Sequence, residues 1–101
     1  MNIAEIKSQG DGVFAVTGNI DFSTVNQLLA QSEVLFATNE LITLDLTLVQ
    51  RANSAGLALL LEWQDRARMQ KRLLRIRNVP SVLIDIARIS NCVTILNLID
   101  N

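Results

Sequence analysis

The stretch LITLDLTLVQRANSAGLALLLEWQDRARMQKR, Leu41 to Arg72, decides the fold. Leu41, Ile42, Leu44 and Leu46 form a nearly continuous apolar run, the composition of a strand covered on both faces. A short polar loop follows. Asn53 and Ser54 then offer the small polar side chains that accept the exposed N–H groups of a helix start. The unit therefore reads strand, loop, long helix, and a working site is expected at Asn53 to Gly56. The rest of the chain covers this unit or extends its sheet.

Upstream, Ile3–Lys7 and Val13–Thr17 are strand candidates around Gln9-Gly10-Asp11-Gly12, whose glycines supply the positive φ angles of a tight hairpin. Gly18-Asn19-Ile20-Asp21 ends the second strand. Ser23 and Thr24 are both plausible helix caps, and Gln27 stands at capping-box spacing from Thr24. Val25, Leu28, Leu29, Ser32, Leu35 and Phe36 then recur as the buried stripe of an amphipathic helix. Downstream, Leu73 to Arg77 alternates apolar and basic residues, as a strand near a sheet edge does. Asn78 to Ser90 reads as a third helix with Pro80 in its first turn and a stripe of Val82, Leu83, Ile86 and Ala87. Val93 to Leu96 reads as a last short strand, and the end frays at Asp100-Asn101. The order β-β-α-β-α-β-α defines an α/β fold: a mixed sheet, parallel after the hairpin, with helices mainly on one face.

At 101 residues with 50% hydrophobic side chains, one domain spanning residues 1–101 can bury a core unaided, and disorder is not expected. Aromatic residues are only 4%, so Leu, Ile, Val and Ala must build that core. No apolar run reaches membrane-span length and MNIAEIK is too polar for a signal peptide, so a soluble cytoplasmic protein is expected. Cys92 stands alone, which forbids an internal disulfide. Lys7 is the one basic residue before position 51, whereas Arg66, Arg68, Lys71, Arg72, Arg75 and Arg77 crowd a short span. Such a cluster suits an anionic partner or a solvated helix face. Interleaving with Asp65 and the absence of aromatic partners favour the solvated face, and no nucleic acid is expected.

Catalytic chemistry is poorly supplied. Histidine is absent, and with it the commonest general base and metal ligand. No Cys-x-x-Cys or Gly-rich phosphate loop occurs. Ser54 lacks a nearby base, and Asp21 and Asp45 at strand ends read as loop caps. No catalytic residue, metal, cofactor or small-molecule substrate is expected. On the wheel of the second helix, Leu57, Leu60, Leu61, Gln64 and Ala67 share the arc assigned to the sheet. Leu59 and Trp63 lie off it with Arg66 and Gln70. Trp63 is then either covered by a neighbouring helix or exposed as an interface anchor. Asn53 and Ser54 likewise have two compatible roles: a helix cap, and a hydroxyl at a positive helix end where phosphate is favoured.

Asp45-Leu46 followed by Ala52-Asn53-Ser54-Ala55-Gly56-Leu57, in this order of strands and helices, resembles the STAS domain. Gly18-Asn19-Ile20-Asp21 is similar to the Gly-Glu-Leu-Asp that ends the family's second strand. The run NSAGLALLL, Asn53 to Leu61, most resembles the branch that serves as a subunit of phospholipid ABC transporters, where it reads Asp-Thr-Gly-Gly-Leu-Ala-Leu-Leu-Leu. The resemblance implies a non-enzymatic adaptor on a cytoplasmic ATPase, held at the inner membrane through that ATPase and its permease. It implies partner binding by Asn53, Ser54, Ala55, Gly56, Leu57, Ala58 and Leu59, with Leu57 to Leu61 shaping the base. In the family's sigma-factor branch, the position of Ser54 is phosphorylated. Asn53 departs from the family's Asp and Ala55 from that branch's second Ser. Both changes favour the adaptor over the phosphoswitch.

Overall fold

The computed structural model describes residues 3–99. In chain order the elements are β1 (Ala4–Gly10), β2 (Val13–Ile20), α1 (Val25–Phe36), β3 (Leu41–Asp45), β4 (Val49–Ala52), α2 (Ser54–Met69), β5 (Leu73–Arg77), α3 (Ser81–Ile89) and β6 (Leu98–Ile99). The hairpin turns as the glycines require, with φ of 87°, 53° and 76° at Gly10, Asp11 and Gly12. A side chain at Gly12 would stand 2.5 Å from the Leu41 carbonyl, so this turn and the start of β3 fit only around glycine.

The sheet runs β1-β2-β3-β5-β6, antiparallel at the hairpin and parallel thereafter. One contiguous core draws Ala4 and Ile6, Phe14 and Val16, Ile42 and Leu44, and Leu74 and Ile76 from alternate strand positions. All three helices contribute to that same core, so they lie on one face. Phe14 meets Phe36 edge-on at 5.1 Å, and Phe36 meets Trp63 at 6.2 Å. No helix is long and apolar enough to cross a membrane among the described residues.

Four expectations are corrected. The central strand is covered on one face, and Leu41 is 43% exposed on the other, where Thr43 is shielded by a hydrogen bond from Arg75 rather than by a second layer. The loop after β3 contains β4, which pairs with Gly18–Ile20 of β2. β3 and β4 thus track one neighbour in succession, interrupted at Leu46-Thr47-Leu48. The last strand is Leu98–Ile99, because Val93–Leu96 is drawn into turns. There Ile95 N–H bonds the Cys92 carbonyl and Leu96 enters the core. Thr24 makes no capping box: its hydroxyl donates to the Asn19 carbonyl at 2.9 Å and accepts the Asp21 N–H at 3.0 Å. Gln27 instead donates to the Ala4 carbonyl. The fraying expected at Asp100-Asn101 lies outside the described residues.

The basic cluster is dispersed. Arg66 pairs with Glu62 and Glu33, and Arg68 with Asp65. Arg72 donates to the Phe36 and Ala37 carbonyls, closing the C-terminal end of α1. Arg75 and Arg77 lie on the sheet face opposite the helices. The break between β3 and β4 is held by Asp45, which accepts from Thr47 N–H at 2.9 Å, Thr47 Oγ1 at 2.5 Å, Arg77 Nε at 3.2 Å and Asn78 Nδ2 at 3.1 Å.

Burial alone would raise the Asp45 pKa, but the bonds from Thr47, Asn78 and Arg77 outweigh it and lower the value from 3.8 to about 2. A carboxylate whose folded pKa is depressed stabilises above its unfolded pKa and loses that contribution as pH falls through the folded one. Asp45→Asn is therefore expected to lower stability by about 2 kcal/mol at pH 7. In urea titrations the gap between the two proteins should narrow between pH 4 and about 2. A gap that stays constant across that window would contradict the assignment.

Candidate functional site

The start of α2 is built by Asn53. Its backbone is extended, with φ −130° and ψ −165°, and its side-chain oxygen accepts the Ala55 N–H at 2.9 Å. Its carbonyl accepts the Gly56 N–H at 2.8 Å, and its own N–H donates to the Ile20 carbonyl at 3.3 Å. The cap is thereby stitched to the end of β2. Gly56 completes the junction: a Cβ there would lie 3.0 Å from Leu83 Cδ2, 3.4 Å from Ile20 Cγ2 and 3.5 Å from Ala52 Cβ. Its role is close packing of α2 between α3 and β2.

This junction sorts the seven candidate residues. Asn53, Ser54 and Ala58 are exposed, whereas Ala55, Gly56, Leu57 and Leu59 are buried. The buried four shape the base, and the accessible surface is the Ser54–Ala58 ridge, one helical turn apart. Asn53 forms the cap, which leaves the Ser54 hydroxyl outside the capping bond. Trp63 does not join this surface. It is 2% exposed, and its Nε1 donates to Ser32 Oγ at 2.8 Å, so α1 covers it. Leu59, also placed off the sheet arc, is buried as well. Gln64, assigned to the sheet, instead grips the loop before β6, donating to the Ile95 carbonyl and accepting the Asn97 N–H, both at 2.6 Å.

Residues outside the motif complete the surface. A groove of about 360 Å³ between α1 and α2 is lined by Phe22, Val25, Leu29, Ala58, Glu62 and Arg66, among others. Phe22 is 75% exposed at its mouth, in the loop after β2. A bulky apolar residue directly after Asp21, in an otherwise polar loop, was the available sequence signal. Val25 and Leu29 gave none, since they read as part of the buried stripe. A larger groove of about 780 Å³ runs along the other flank of α2, with Ala58, Leu61, Arg68, Leu73 and Ile95 among its lining. Ala58 therefore stands on the crest between two grooves. Asp21 and Asp45 behave as loop caps: Asp21 Oδ1 accepts the Ser23 N–H at 2.8 Å. Among the described residues no group of three potential metal ligands comes together.

The molecule is thus a mixed sheet with three helices on one face and a ridge of small residues opening the second helix. The family model described as "Mlab, STAS domain" matches residues 3–98, and the chain belongs to the STAS domain family. Its fold is shared with anti-sigma factor antagonists of known structure. Unphosphorylated SpoIIAA superposes with a TM-score of 0.74 at 13% identity, over 98% of this chain and 88% of that one. The phosphorylated form of Bacillus SpoIIAA gives 0.70 at 13% identity, over 98% and 91%. An anti-sigma factor antagonist from Mycobacterium paratuberculosis gives 0.69 at 18% identity, over 97% and 85%. No curated protein matches the sequence significantly.

Two substitutions test how the ridge is held. Asn53→Ala should lower stability by about 1 kcal/mol through loss of the cap, while Asn53→Asp should retain it. Gly56→Val should be worse, by roughly 1–3 kcal/mol, because its methyls overpack against Ile20 and Leu83. Chemical denaturation gives both values. A Gly56→Val protein as stable as wild type would show that α2 does not depend on close approach there.

Proposed function

We propose that this protein is a non-enzymatic STAS adaptor that docks on the cytoplasmic ATPase of an Mla-type phospholipid ABC transporter and supports its assembly and activity, and with them outer-membrane lipid asymmetry. The observation that carries the reading is the exposed Ser54–Ala58 ridge, set beside the apolar groove that Phe22 overhangs. The family model that matches is described as "Mlab, STAS domain", and the transporter role is carried over from the resemblance of Asn53 to Leu61 to that branch. STAS domains mediate protein–protein interactions, and small residues on a rigid helix start let a partner backbone approach closely while Phe22 fills an apolar pocket. The protein would be cytoplasmic and reach the inner membrane through the ATPase and its permease.

Ser54→Arg places a long cation on the ridge without touching the core, so the domain should fold normally and lose its ATPase. Pull-down from detergent-solubilised membranes, with copurifying chains identified by mass, measures this. Recovery of the transporter at wild-type yield from the Ser54→Arg protein would remove the ridge from the interface.

A second reading has a specific observation behind it. The fold is that of antagonists whose structures include phosphorylated and unphosphorylated forms, and the Ser54 hydroxyl is exposed at the α2 N-terminus. Phosphate there would add nearly two negative charges to the docking ridge. Asn53 in place of the family's Asp weakens this alternative. Incubation with cell lysate and ATP should leave the intact mass unchanged, whereas a gain of one phosphate, lost in Ser54→Ala, would favour the antagonist.

A further inference from the structure

Among the described residues β1 is an edge of the sheet, paired on its inner side alone, to β2. The Asn19 N–H donates to the Ile3 carbonyl at 3.1 Å, so Ile3, Glu5 and Lys7 turn their backbone groups inward. Alternation along the strand then turns those of Ala4, Ile6 and Ser8 outward. The Ala4 carbonyl confirms that direction, since Gln27 Nε2 reaches it from α1 at 3.3 Å. Ile6 and Ser8 thus offer donors and acceptors along an open edge, and the β-bulge falls beyond them, between Ser8 and Gly10. Edges of this kind are usually blunted by proline, by a central bulge or by unmatched charge. Here the two charges are Glu5 and Lys7, flanking Ile6, with a 3.5 Å ion pair between them.

We propose that β1 pairs antiparallel with β1 of a second copy of this chain, about a two-fold axis through Ile6, to form a weak homodimer with one continuous sheet. The charge pattern selects this occupant. In that register Glu5 lies opposite Lys7 of the second copy and Lys7 opposite its Glu5, so the edge is complementary to itself. Ile6 faces Ile6, and Ala4 faces Ser8, each as a pair that can exchange backbone hydrogen bonds. The Ala4 carbonyl has a second lone pair for the new donor. The adjoining flank of α1 supports the same contact. Gln27, Gln31 and Val34 fall on one side of that helix, and Gln27 fixes it as the side over β1. Val34 is 79% exposed there, and Gln31 Oε1 is buried without a hydrogen-bond partner. Gln31 lies one turn, roughly 6 Å, beyond Gln27 along a helix that runs with β1, which brings it near the axis at Ile6. A rotation of the Gln31 amide out of its buried setting would let that acceptor meet the second copy's glutamine amides. The inference does not depend on the docking ridge, which involves a different surface of the protein.

The test uses the intact chain. Sedimentation equilibrium from about 10 μM to about 1 mM should show a monomer–dimer equilibrium in the weak range expected of a small interface. Hydrogen exchange should show Ile6 and Ser8 amides gaining protection with concentration, while the inward Glu5 and Lys7 amides do not change. Lys7→Glu should raise the dissociation constant roughly tenfold, since two symmetric pairs become like-charged, and Glu5→Lys/Lys7→Glu should restore it. These side chains are exposed, and circular dichroism checks that both variants fold. A monomer at every concentration, a dimer with Ile6 and Ser8 amides unprotected, or a Lys7→Glu dimer as tight as wild type would each overturn the proposal.

Discussion

The structure depends on the seating of the first turn of α2 against the end of β2. Three contacts set it: the Asn53 N–H on the Ile20 carbonyl, the Asn53 side chain on the Ala55 N–H, and Gly56 with no Cβ between Ile20 and Leu83. Sheet, second helix and third helix meet within one helical turn. With that turn fixed, the phase of α2 is fixed too, and every residue after it has its direction decided at 100° per step. Ala55 and Leu59 face α1 and the core, Leu60 and Ala67 face the sheet, and Ser54 and Ala58 face out.

The same seating explains why a helix rich in leucine leaves only small side chains on its outer first turns. A leucine at position 58 would fill the crest between the two grooves and hide both. With alanine there, the apolar walls of the α1–α2 groove remain open beneath Phe22. On the opposite flank Gln64 joins α2 to the loop before β6 through two short bonds, so the helix is braced on both sides of the ridge. A ridge on a helix held this way is pre-ordered, which would keep the ordering cost of the proposed docking low.

Much of this was legible in the sequence, for identifiable reasons. The hairpin was carried by Gly10 and Gly12, α1 and α3 by their apolar periodicity, and the cap by Asn53, all of which are local signals. What was not legible depends on tertiary partners. Val49-Gln50-Arg51-Ala52 has no apolar alternation, and it becomes a strand only because Gly18–Ile20 offers unpaired backbone beside it. Trp63 could have been a surface anchor until Ser32 on α1 supplied a partner for its indole N–H. Arg66 to Arg77 looked like one basic cluster because chain proximity hides that Arg72 closes α1 while Arg75 and Arg77 cross to the other face of the sheet. Phe22 escaped the motif because it reaches Ala58, across the α1–α2 groove, only through the β2–α1 connection.

The central claim is that partners meet the ridge rather than the open sheet face, and site-specific photo-crosslinking in intact membranes tests it most directly. A photo-reactive amino acid would be placed at Ala58, and separately at Leu41, which is 43% exposed on the open sheet face. The account predicts an adduct between the Ala58-labelled protein and the transporter ATPase, and none from Leu41. Adducts from Leu41 alone would contradict it.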